Sequence, residues 1–69
     1  MDMKMVGAQI ARLRKEKGLT QNDLGDRLGV SFQAVSKWER GETLPDTAIL
    51  LDLANALETA VDCILTGGS

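Results

Sequence analysis

The chain has 69 residues, of which 43% are apolar but only 3% aromatic, so it allows one small domain with an aliphatic core of Leu, Ile, Val and Ala. One cysteine and no histidine exclude an internal disulfide and leave neither a zinc-ligand set nor a Ser/His/Asp or Cys/His group, so no enzyme activity, metal or other cofactor is expected. The net charge is −2, there is no apolar run of 18 residues, and Met1 to Met5 is too polar and short for a secretory signal, which predicts a cytoplasmic chain without a membrane partner.

The first helix is expected over about Met3 to Lys17, with Met3, Val6, Ile10, Leu13 and Lys17 on one face. Lys15 and Lys17 suit its C-terminal dipole, and Gly18 stops it. Thr20-Gln21-Asn22-Asp23 reads as an N-cap with an acid three residues on, and opens a second helix with Leu24 and Leu28 facing inward. Gly29 ends that helix and Ser31 caps a third, on which Val35 and Trp38 share a face; Gly41 ends it. So short a link forces the second and third helices to cross steeply. Thr43, Leu44 and Pro45 form a loop, and Asp46 caps a fourth helix from Thr47 to about Leu57, with Ile49, Leu50, Leu53, Ala54 and Leu57 as its apolar stripe. A fifth helix, about Ala60 to Leu65, turns Val61, Ile64 and Leu65 inward, and Cys63 reads as a small hydrophobe. Residues 1–66 form the expected domain, and 67–69 a flexible tail or the start of a linker. The segment Leu57 to Leu65 is rich enough in Leu, Ile and Val to be a candidate dimer surface, the alternative being that all of it caps the monomer core.

Charge is unevenly spread. Residues 1–40 hold all eight bases against five acids, a balance of +3, whereas 41–69 hold five acids and no base, a balance of −5. A basic end facing phosphate and an acidic end facing away would fit that split. The stretch QNDLGDRLGVSFQAVSKWER, residues 21–40, carries the pattern that matters. A small residue, Gly25, stands where two helices cross, Gly29 opens a tight turn, and Leu24, Leu28, Val30, Val35 and Trp38 plug the angle. Gln33, Ser36 and Lys37 then lie on the outer face of the third helix, polar enough to read base edges.

GLTQNDLGDRLGVSFQAVSKWERGETLP followed by a Leu-rich helix resembles the Cro and phage-repressor type of helix-turn-helix, also called the xenobiotic-response-element type, over about Ile10 to Leu65. The resemblance implies an all-α, five-helix, lambda-repressor-like domain that binds double-stranded DNA, usually as a homodimer on an operator, and regulates transcription as a repressor. It implies base contacts from Phe32, Gln33, Ser36 and Lys37. It implies DNA-backbone contacts from Gln21 and Arg40, to which Asn22 and Ser31 at the helix N-termini and Thr43 in the following loop are added. Arg14 and Glu39 match a structural ion pair between the first and third helices. No small-molecule ligand is implied. Three positions depart from the family. Gly25 replaces a usual alanine, at up to ~1 kcal/mol of helix propensity. Phe32 replaces a position that is often polar: it can pack on a thymine methyl, fold back on the protein or meet a partner. Glu42 stands where relatives often carry a base, which weakens a phosphate grip there. The rival reading is a protein-interaction or antitoxin-like adaptor module on the same fold.

Overall fold

The computed structural model describes residues 2–67, and Met1, Gly68 and Ser69 lie outside the described residues. Five helices follow in order: α1 Met3–Glu16, α2 Gln21–Leu28, α3 Phe32–Glu39, α4 Thr47–Ala56 and α5 Val61–Thr66. Four of the five open on a side-chain cap. The Thr20 hydroxyl accepts from the Asp23 N–H at 3.0 Å while the Asp23 carboxylate accepts from the Thr20 N–H at 2.9 Å, a complete capping box. Ser31 caps α3 and Asp46 caps α4 in the simpler one-bond form. The Asp2 carboxylate caps α1 by accepting from Lys4 and Met5, a signal missed at the very start of the chain.

The core holds Val6, Ile10, Leu24, Val35, Trp38, Leu53, Ala54, Leu57 and Ile64, all essentially excluded from water. It is aliphatic apart from Trp38, as composition requires. The inward line of α1 corrects the expected one. It runs Val6, Gly7, Ile10 and Arg14, whereas Met3 and Lys17 are exposed and Leu13 is half-buried. A strict i, i+4 row from Val6 lands on Arg14, and a buried arginine is not counted by an apolar periodicity.

Gly7 lets α1 cross α3 at close range: a Cβ there would stand 2.2 Å from the Trp38 carbonyl oxygen and 2.8 Å from that of Glu39. The α2–α3 turn is equally tight. Gly29 adopts φ 70°, the Val30 N–H donates to the Gly25 carbonyl at 2.9 Å, and a Cβ on Gly25 would lie 2.7 Å from the Val30 oxygen. At this distance alanine is the misfit, so the glycine is part of the crossing rather than only a propensity cost.

The C-terminal segment divides between core and surface. Leu57 and Ile64 are sealed in the core, and α5 is tied to α1 by the Gln9 side-chain amide donating to the Cys63 carbonyl at 3.1 Å. Leu57 and Ile64 therefore cap the monomer core. Val61 and Leu65, half-buried, line an apolar cleft of about 390 Å³ with Val6, Leu44, Pro45, Thr47 and Leu50. Gly67, expected in a flexible tail, closes α5 with φ 70°. No helix among the described residues is long and apolar enough to cross a membrane.

Candidate nucleic-acid interface

The caps and the Gly29 turn fix α3 so that one face packs and the other is free. Val35 and Trp38 point inward, while Ser31, Phe32, Gln33 and Lys37 are exposed. Gln33 and Lys37 are one turn apart on the outer face, and Ser36 sits half-buried beside them. Phe32 is 46% exposed and does not fold back into the core. Asn22 is exposed in the first turn of α2, Gln21 is half-buried beside it, and Thr43 is exposed in the loop after α3.

Behind this face lies a polar clamp joining three helices. The Arg14 guanidinium, on α1, donates to both Glu39 oxygens on α3, through Nε at 2.7 Å and Nη2 at 2.9 Å, and Nη1 donates to the Leu19 carbonyl at 2.8 Å. The Gln21 amide, on α2, donates to Glu39 Oε1 at 3.0 Å. Both charged side chains are nearly buried and their facing groups are satisfied, the condition under which a buried pair tolerates desolvation. The hydrogen bond to Glu39 is the main cause that holds the Arg14 guanidinium further above its ordinary pKa, against the opposing effect of burial. Gln21 is thus placed at the N-terminus of α2 by a residue of the same helix that carries Gln33 and Lys37.

At the far end of the face, Arg40 is engaged within the protein. Its Nε donates to Glu42 Oε2 at 2.6 Å, and Nη1 donates to the Ser36 hydroxyl. The hydrogen bond from Arg40 lowers the Glu42 pKa, with a smaller contribution from the charge of Lys37. Glu42 is a residue that sequence reasoning treated only as a missing base. An i, i+2 pair across a helix end follows no helical spacing, so only the Glu after Arg-Gly pointed to it. Among the described residues no His/Cys/Asp/Glu group is arranged to hold a metal.

Two helices crossing at a three-residue turn, the second presenting a polar outer face at the end of a small helical domain, define a helix-turn-helix protein. The Helix-turn-helix family model matches residues 10–62, and the chain belongs to that family. It is 52% identical over 58 residues to an uncharacterized HTH-type transcriptional regulator of Sinorhizobium fredii, covering 83% of this chain and 75% of that one. It is 40% identical over 67 residues to the repressor protein C2 of Salmonella phage P22, covering 97% of this chain but only 31% of the repressor. The fold superposes with a TM-score of 0.90 on a crystal structure of the P22 c2 repressor protein in complex with a synthetic operator, at 41% identity and covering 93% of this chain and 97% of that one. It also superposes with a TM-score of 0.86 on the restriction-modification controller protein C.AhdI of Aeromonas hydrophila, at 30% identity, covering 93% and 97% of the two chains.

Proposed function

We propose that this chain binds double-stranded DNA sequence-specifically and regulates transcription, as a repressor that occupies its operator. The observation that carries the reading is the outer face of α3. Gln33 and Lys37 are held outward by the buried Val35 and Trp38, in a fold that matches an operator-bound repressor over nearly its whole length. In this reading α3 enters the major groove, and Phe32, Gln33, Ser36 and Lys37 meet base edges. Gln21, Asn22, Ser31, Arg40 and Thr43 hold the sugar-phosphate backbone, aided by the N–H groups at the starts of α2 and α3. Arg14 and Glu39 touch no DNA and keep α3 seated.

In the same reading the chain acts as a homodimer on its operator, and its size is consistent with that. The longest extent of the domain is 25 Å, shorter than the roughly 34 Å between successive major-groove faces, so reading two such faces needs two copies. Selection from a pool of random duplexes tests the reading: a recovered motif with approximate two-fold symmetry is the expected result. Binding to the selected site should weaken steeply and linearly in log salt, as phosphate contacts require. The adaptor reading is favoured by one observation, the half-exposed Phe32 on the recognition face, and it expects no enriched motif at any salt concentration.

A further inference from the structure

We propose that Glu42 is an intramolecular stand-in for a DNA phosphate: its carboxylate holds the Arg40 Nε–H, and DNA must displace it to gain that donor. The inference rests on the DNA-binding reading and adds to it a residue that limits affinity.

The position of Glu42 is built by the main chain. At the end of α3 the Gly41 N–H donates to the Trp38 carbonyl at 3.0 Å and the Glu42 N–H donates to the Lys37 carbonyl at 2.9 Å. Gly41 itself takes φ 75°, which turns the chain back over the last turn of the helix. The turn is also pressed against α1, since a Cβ on Gly41 would lie 2.7 Å from Lys4 Cγ. Glu42 is thereby set beside Arg40. It accepts from Arg40 Nε at 2.6 Å, and the charge of Lys37 adds a smaller pull on its carboxylate. Arg40 in turn reaches Ser36, so one acid orders a chain of three residues at this end of the face.

A phosphate oxygen and the Glu42 carboxylate both suit the Arg40 Nε–H, and one N–H cannot serve both. Arg40 and Glu42 are both about half exposed, so the pair is weak enough for phosphate to exchange with it. Exchange leaves Glu42 without its partner and beside a polyanion. It also releases the Ser36 hydroxyl from Arg40. The acid therefore subtracts from binding at any DNA sequence, and the larger part of that loss runs through Arg40.

Four chains decide this: wild type, E42Q, R40Q and the R40Q/E42Q double variant, each checked for helical content and titrated with a mixed-sequence duplex at low salt. E42Q should bind more tightly by roughly threefold to tenfold, R40Q more weakly than wild type, and the gain from E42Q should be smaller in the R40Q background, where only the repulsion between Glu42 and phosphate remains. No gain from E42Q, or an equal gain with and without Arg40, overturns the proposal while leaving DNA binding intact. If neither wild type nor E42Q binds any duplex, the DNA-binding reading fails and this inference falls with it. A readout in the free protein is independent of DNA. The Arg40 Nε proton should exchange with water more slowly in wild type than in E42Q, and equal exchange in both would show that the pair is absent.

Discussion

Single residues carry the interface, and the outer face of α3 makes the sharpest case. Replacing Gln33 with Ala should cost about 1–3 kcal/mol against the selected site and relax preference at one or two base pairs, measured by titrating the variant against that site and its single-base variants. Unchanged affinity and preference would remove Gln33 from the reading. A second prediction sets two effects against each other at Gly25. Alanine there gains up to ~1 kcal/mol of helix propensity, but its Cβ would meet the Val30 oxygen at 2.7 Å. Overpacking of that kind costs about 1–3 kcal/mol, so Gly25→Ala should be net destabilising, seen as a lower urea midpoint. Gly25, Gly29 and the outward residues of α3 were legible because local rules govern them. Gly7 was not, because its need for a bare backbone arises from Trp38 and Glu39, some thirty residues away in the chain.

Among elements, the clamp of α1, α2 and α3 decides whether the reading face holds its angle. Glu39→Ala leaves the nearly buried Arg14 charge without its partner and deprives the Gln21 amide of its acceptor. A loss of about 3–5 kcal/mol is expected, enough to unfold so small a domain, and thermal melting measures it. An unchanged melting curve would mean that the clamp contributes nothing. The helix ends predict the acid limb of stability. Backbone and side-chain hydrogen bonds from Thr20 lower the Asp23 pKa, and Lys17, through its ion pair at 2.8 Å, lowers that of Glu58. Carboxylates depressed in the folded state stabilise it above their unfolded pKa, and that contribution fades as pH falls toward the folded value. The melting temperature should therefore drop through and below the ordinary carboxylate range, with a shallower drop for Asp23→Asn; identical pH profiles would count against the capping box. The caps at Thr20, Ser31 and Asp46 were readable from residue type alone. The face of α1 was misread because its buried row ends on Arg14 rather than on an apolar residue.

At the scale of the whole molecule, the prediction is assembly on DNA. Two copies should place their α3 helices about 34 Å apart on a roughly palindromic site, with sedimentation giving two chains on a full site and one on a half-site. Equal affinity for full and half sites would leave a monomeric reader. The segment Leu57 to Leu65 was the part least legible in the sequence, because buried and half-buried apolar residues are interleaved along it. Leu57 and Ile64 look like surplus hydrophobes along the chain, but the domain has almost no aromatic side chains to fill its centre and uses them there instead. The leftover apolar surface of the same segment is the half-buried Val61 and Leu65, which lie beside Leu44 and Pro45.

Trp38 is the sole tryptophan in a chain without tyrosine, it is 5% exposed, and it sits on the side of α3 opposite Gln33 and Lys37. Its emission is accordingly an optical gauge of how α3 is seated. Unfolding should shift the spectrum to longer wavelength as the indole meets water, while a ligand docking on the outer face should leave it nearly still. A variant that loses DNA while keeping the native spectrum has lost a contact, and one that loses both has lost the fold, so a single fluorescence trace sorts the substitutions above into two kinds.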